Sequence, residues 1–98
     1  MGSVPLIHRL YPSHPNPMNR TTTLSYALPE MSSVSPKIFD ITGREVRTLA
    51  NGVREPGYHM ATWDGRDEAR EDLSSGIYFY RLTTSTGYTQ TRKLLLIR

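Results

Sequence analysis

The chain has no cysteine. Disulfide staples, thiolate zinc sites and a cysteine nucleophile are therefore excluded, while the compartment stays open because many exported domains manage without disulfides. Long apolar runs are also missing. The longest aliphatic stretch is Leu94-Leu95-Leu96-Ile97, against the roughly 20 residues a membrane-spanning helix needs, so transmembrane insertion is not expected. Lysine is scarce: ten of the twelve cations are arginine, spread from Arg9 to Arg98. The net charge of +3 is compatible with anionic partners, but nucleic-acid binding calls for a clustered basic face that this spacing lacks.

What is present describes one small domain. Ninety-eight residues hide about 60–70% of the surface the unfolded chain exposes, enough for one thin core and too little for a deep two-lobed cleft. Hydrophobic residues at 37% and charged residues at 21% fit an ordinary folded chain rather than a disordered tail. Met1-Gly2-Ser3 reads as an added leader, 1–3, carrying no information about export. Residues 4–20 are an extended, proline-rich linker or first strand, since Pro5, Pro12, Pro15 and Pro17 remove backbone donors and disfavour helix. Residues 21–98 form the domain proper.

Within it, β-prone runs alternate with turn signals about every ten residues. Thr22, Leu24, Tyr26 and Leu28 alternate with smaller or polar neighbours, the period of a half-buried strand. Further strands are expected over 34–41, 45–50, 58–63, 77–82 and 88–97. Thr42-Gly43, Asn51-Gly52, Pro56-Gly57, Asp64-Gly65 and Thr86-Gly87 mark the turns. Only 67–72 could turn helical. Six or seven short strands without helical periodicity predict an all-β antiparallel sandwich.

Three groups of side chains suggest chemistry, and each has a plainer explanation. Asp64, Asp67, Glu68, Glu71 and Asp72 supply oxygen ligands, but they lack the spacing and central glycine of a calcium loop, and Arg66 and Arg70 neutralise them. Asp64 before Gly65 is better read as capping a turn, so no metal is expected. The histidines, His8, His14 and His59, have no recognisable nucleophile and orienting acid, and His59 alternates with Ala61 and Trp63 as an inward, hydrogen-bonded residue. No catalytic residue and no cofactor are expected. Tyr78, Tyr80 and Leu82 share one strand face and Ile77 and Phe79 the other. An accessory sugar-binding module would need such a row to face solvent, whereas in a thin sandwich Tyr78, Tyr80 and Trp63 belong to the core.

Several motifs in register carry a family resemblance over about residues 10–98. They are Pro15-Asn16-Pro17, Thr21-Thr22-Thr23-Leu24-Ser25-Tyr26-Ala27-Leu28-Pro29 and Ile38-Phe39-Asp40-Ile41-Thr42-Gly43-Arg44-Glu45-Val46. Then follow Trp63-Asp64-Gly65-Arg66-Asp67, Ser75-Gly76-Ile77-Tyr78-Phe79-Tyr80-Arg81-Leu82 and Arg92-Lys93-Leu94-Leu95-Leu96-Ile97-Arg98. Together they resemble the type IX secretion C-terminal sorting domains and the similar immunoglobulin-like domain of the flagellar hook-capping protein. The resemblance implies an immunoglobulin-like antiparallel β-sandwich of about seven strands that does no chemistry. It further implies export of N-terminal cargo domains through the periplasm of a Gram-negative bacterium to the surface or beyond. The implied partners are an outer-membrane translocon and a sortase-like peptidase, and cleavage would fall in a tether such as 4–11. The hook-cap relatives imply an alternative, a structural assembly module.

On that resemblance the recognition surface is Arg92, Lys93, Leu94, Leu95, Leu96, Ile97 and Arg98. The motif positions Pro15, Asn16, Pro17, Gly43, Arg44, Trp63, Asp64, Gly65, Gly76 and Tyr78 are structural. The apolar run 94–97, apolar on both alternating faces, reads as a strand in the sandwich interior, and its flanking cations also discourage aggregation. Four positions depart from the family pattern. Met18 replaces a usual phenylalanine and Arg20 a usual proline, loosening the entry segment. Pro36 replaces an apolar strand residue, predicting an edge strand or a bulge there. Arg70 stands where a glycine normally makes a left-handed turn, predicting a loop built differently.

Overall fold

Alternation of small polar and large apolar side chains gives each strand one face for the core, and two sheets bury those faces against each other. The computed structural model describes residues 4–98; the leader 1–3 lies outside the described residues. Eight strands follow in order: β1 Arg9–Leu10, β2 Thr22–Leu28, β3 Ser32–Phe39, β4 Glu45–Thr48, β5 Gly52–Arg54, β6 Gly57–Trp63, β7 Gly76–Thr84 and β8 Thr89–Leu96. One sheet has the order β1-β2-β6, the other β4-β3-β7-β8 with β5 also paired to β3. Every strand pairing is antiparallel. No helix among the described residues is long and apolar enough to cross a membrane.

The predicted alternation is what fills the core. Leu24, Tyr26 and Leu28 come from β2, Val34 and Ile38 from β3, Tyr78, Tyr80 and Leu82 from β7, and Leu94 and Leu96 from β8. Trp63 is fully buried, stands edge-on to Tyr78 at 5.5 Å and donates its indole N–H to the Arg66 carbonyl at 2.9 Å. A sugar cannot stack on Trp63, Tyr78 or Tyr80, because the row lies inside. His59 faces inward, half-buried, stacked on Tyr26 at 5.5 Å. Its Nε2 lies 2.8 Å from the Glu55 carbonyl, which makes that nitrogen the donor.

Four expectations are corrected. The strand expected over 45–50 ends at Thr48 as β4, and an unexpected three-residue strand, β5, follows it, opened by Gly52, a residue expected in a turn. Pro36 is in neither an edge strand nor the bulge. β3 lies between β7 and the β4/β5 side, with β5 pairing residues 32–34 and β4 residues 37–39. Pro36 falls in the gap between those two partners, so its missing N–H costs no ladder bond, and its carbonyl accepts from Leu49 at 2.9 Å. The register shift comes later, between Ile38 and Phe39.

The third correction concerns the C-terminal strand, which is not interior. β8 ends its sheet, paired with β7 alone. Leu94 and Leu96 are fully buried, while Leu95 and Ile97 are 36% and 49% exposed. With one sheet beneath it and solvent above, only every second side chain can be covered. Fourth, Arg70 does not avoid the left-handed region: its φ is +66°. The loop keeps the glycine geometry because Arg70 N–H donates to the Asp67 carbonyl at 3.0 Å and Glu71 N–H to the Asp67 carboxylate at 3.0 Å. Two hydrogen bonds hold a conformation that costs a side-chain-bearing residue roughly 1–2 kcal/mol.

Candidate functional site

An edge strand presents unpaired backbone groups on alternate residues, and much of the proline-rich N-terminal stretch is used to cover those of β8. Residues 11–18 cross from one sheet to the other. Tyr11 and His14 hydrogen-bond to Ser25 and Thr23 of β2 at 2.9–3.0 Å, and Thr22 Oγ1 donates to the Pro15 carbonyl at 2.7 Å. The Tyr80 hydroxyl accepts from Ser13 N–H at 2.8 Å and donates to the Tyr11 carbonyl at 3.0 Å. The segment then reaches β8. The Asn16 amide acts as a substitute peptide group between Pro15 and Pro17. Its Nδ2 donates to the Lys93 carbonyl at 3.2 Å and its Oδ1 accepts from Leu95 N–H at 3.0 Å. Met18 continues in parallel, its N–H donating to the Leu95 carbonyl at 2.9 Å and its carbonyl accepting from Ile97 at 2.8 Å. Its side chain is fully buried, so methionine closes the entry where the family pattern has phenylalanine.

The far end of β8 is held by a different device. The Arg98 guanidinium enters the 64–73 loop, where Nε donates to the Leu73 carbonyl at 2.7 Å and Nη2 to the Gly65 carbonyl. Nη2 also lies 3.5 Å from the Asp72 carboxylate. Gly65 fits this loop for two reasons: its φ is +74°, and a Cβ there would sit 2.8 Å from Arg98 Nη2. Four of the loop's five acids are already engaged, Asp67 by the Glu71 N–H. Asp64 pairs with Arg47 at 3.0 Å and accepts from Arg66 N–H at 3.1 Å, Asp72 pairs with Arg66 at 3.1 Å, and Glu68 accepts from Thr48 N–H at 2.6 Å. Asp64 thus caps its turn, and no three acids or histidines converge as metal ligands among the described residues.

The residues expected to form a recognition surface therefore divide. Leu94 and Leu96 hold the strand down, Arg98 is drawn into the loop, and Arg92 donates through Nε to the Leu10 carbonyl at 2.7 Å. Lys93, Leu95 and Ile97 are left facing solvent. Leu95 is opposite Ile77 and Lys93 opposite Phe79 in the ladder, and Phe79 is opposite Phe39. Arg81 lies over the Phe39 ring at 4.5 Å. The outer face of this sheet is thus an apolar row flanked by cations.

Most structural motif positions lie apart from this surface. Gly76 opens β7 opposite Leu96, and the Tyr78 hydroxyl donates to the Ser74 carbonyl at 2.7 Å. Gly43, at φ +87°, completes a turn built on Asp40. The Asp40 carboxylate accepts from the Thr42 hydroxyl at 2.6 Å, from Thr42 N–H at 2.9 Å and from Arg44 N–H at 3.1 Å. The Thr42 hydroxyl, more than the Arg44 charge, holds the Asp40 carboxyl below its ordinary range. Glu45 is lowered in the same direction, first by the Thr48 hydroxyl and then by Lys37. Burial raises the Tyr26 phenol, with Arg54 pulling the other way. Sequence reasoning missed the Asn16 clasp and the Arg98 insertion. The one local signal was an amide-bearing side chain between two prolines that cannot donate themselves.

Comparison with known proteins agrees with this architecture. The profile of the FlgD Ig-like domain family matches residues 18–88. The basal-body rod modification protein FlgD of Salmonella typhimurium is 40% identical over 57 residues, covering 58% of this chain and 25% of that protein, and FlgD of Salmonella typhi matches equally. Among solved structures, dimeric latent PorU of Porphyromonas gingivalis superposes with a TM-score of 0.76 at 20% identity, over 93% of this chain and 9% of its own. PorZ, an essential bacterial surface component of the type IX secretion system of the same organism, gives 0.61 at 24% identity, over 91% and 11%. The chain thus spans a quarter of the curated relatives it matches and about a tenth of those solved chains. With most of its length inside the family profile and the sandwich that profile implies, this chain belongs to the FlgD Ig-like domain family.

Proposed function

We propose that this domain is a non-catalytic sorting module that directs export and surface attachment of a larger secreted protein, read by outer-membrane secretion machinery through the outward side of β8. The observation that carries the reading is the extent of the fold likeness. It covers 93% of the chain for PorU and 91% for PorZ, whereas the family profile stops at 18–88. The shared architecture therefore reaches into the flanks, where the entry segment and β8 meet. Lys93, Leu95 and Ile97 are the groups a receptor would touch, and Leu94 and Leu96 keep them in place.

The test is fusion of residues 4–98 to a periplasmic reporter in a host with a type IX system. Surface display is expected. Deleting 93–98 would also remove two buried leucines and unfold the strand, so the informative variant is Lys93→Glu, Leu95→Ser and Ile97→Ser together. It should stay folded and lose display. A reporter that remains periplasmic with the intact domain would overturn the sorting reading, and display by the triple variant would overturn the role of this face. A second reading, an assembly module, is favoured by the 40% identity to FlgD. A gene lying among flagellar genes, with the reporter retained, would select it.

A further inference from the structure

The clasp covers only half of the β8 edge. Leu95 turns both its N–H and its carbonyl outward, to Asn16 and Met18. In an antiparallel strand every second residue shares that direction, so Thr89, Thr91 and Lys93 face the same way. Of their outward backbone groups, only the Lys93 carbonyl has a partner among the described residues. Below Asn16 the edge opens beside a groove of about 330 Å³ lined by Pro12, Asn16, Tyr80, Gln90, Arg92 and Lys93. The groove has two cations and no acid along its lining. The Arg92 guanidinium spends Nε on Leu10, while its terminal nitrogens have no hydrogen-bond partner among the described residues. The upper half of the same edge already takes an extended segment, since Met18 pairs there in parallel.

We propose that residues 89–93 of β8 are a strand-accepting edge whose partner is an extended, acidic peptide segment of another protein. Its main chain pairs with Thr89, Thr91 and Lys93. One carboxylate enters the groove to meet Arg92, and the next acidic position on the opposite face meets Lys93, because successive side chains of a strand point to opposite faces. Charge decides against a basic or neutral partner. The inference deepens the sorting reading by naming the chemistry of a partner at the same strand, and rests on that reading for its setting.

The experiment is an NMR titration of the 98-residue chain with a blocked peptide in which pairs of adjacent glutamates are separated by single valines, so that each face of the added strand carries carboxylates, beside the same peptide with lysine in place of every glutamate. Exchange protection is expected at the Thr91 and Lys93 amides with the glutamate peptide, and binding at least about tenfold weaker with the lysine peptide, the size of one charge-assisted contact. Thr91→Pro removes an outward donor without touching the β7 ladder and should abolish binding. Lys93→Glu, at an exposed position that keeps the fold, should narrow or invert the preference. Equal binding of both peptides, or protection that survives Thr91→Pro in a folded domain, would overturn the inference. Surface display of the reporter without any peptide pairing defeats this inference alone, whereas pairing without display defeats the sorting reading alone.

Discussion

Replacing Gly65 with alanine tests how the 64–73 loop and the end of β8 hold each other. Two costs add. At φ +74° an alanine gives up roughly 1–2 kcal/mol to the left-handed conformation, offset by about 0.4–1 kcal/mol through the less flexible unfolded chain. The new Cβ would also sit 2.8 Å from Arg98 Nη2, pushing the guanidinium out of its bonds to Gly65, Leu73 and Asp72. Hydrogen bonds to charged groups contribute about 1.5–3 kcal/mol when well shielded. The Arg98 side chain is 30% exposed, so the group is better set at about 1–2 kcal/mol in total. The expected net loss is about 1–3.5 kcal/mol, lowering Tm by very roughly 5–25 °C in a domain this small. Urea and thermal unfolding followed by the single tryptophan, buried Trp63, would measure it. The decisive comparison is a double-mutant cycle with Arg98→Ala. The two losses should fall short of additivity by about 1 kcal/mol, because without Arg98 the added methyl meets no guanidinium. Strict additivity, or an unchanged midpoint for Gly65→Ala, would show that Gly65 and Arg98 do not hold each other.

Other substitutions probe other parts of the account. Arg70→Gly should stabilise the domain by roughly 0.5–1 kcal/mol, since it releases the left-handed strain at φ +66° at some cost in unfolded-state entropy; a drop in Tm would show that the arginine side chain contributes more than its backbone loses. Leu94→Ala should cost about 2–5 kcal/mol and Leu95→Ala under about 1 kcal/mol, because the first is fully buried and the second 36% exposed; equal losses in chemical denaturation would restore the two-faced reading of the strand. The Asp40 and Glu45 pKa values lie below those of the unfolded chain, so their stabilisation is complete above the ordinary carboxylate range and is lost as pH falls through the folded values. Urea midpoints measured from about pH 7 down to about pH 3 should decline, less steeply in Asp40→Asn; an identical slope would remove Asp40 from the explanation.

The strands that alternate cleanly could be read from the sequence. β2, β6 and β7 place Leu24, Tyr26, Trp63, Tyr78, Tyr80 and Leu82 inward as the period-2 pattern requires, and the Asp64 turn follows from Asp before Gly. β5 was hidden because three residues between two turn dipeptides carry no periodic signal. β8 misled because four consecutive aliphatic side chains look alike whether a strand has one neighbour or two. Only the placement of the sheets exposes Leu95 and Ile97. The candidate surface was legible as a stretch and not as a geometry. That Arg92 and Arg98 turn back onto the domain while Lys93 stays free depends on Leu10, Leu73 and Gly65, all remote in sequence, and composition cannot report such pairings.

The clasp also sets an order of events during synthesis. Asn16 is bonded to partners 77 and 79 residues later, Arg92 reaches back 82 residues to Leu10, and His8 touches Thr86 across 78. Contacts that distant in the chain form slowly, because a long loop must close before they contribute. A nascent chain at about 5–20 residues per second would have most of β2 to β7 in hand and still lack the ribbon that Asn16 and Met18 grip. The domain therefore stays unlatched until β8 emerges, leaving an interval in which any chaperone meets an open sandwich rather than a closed one.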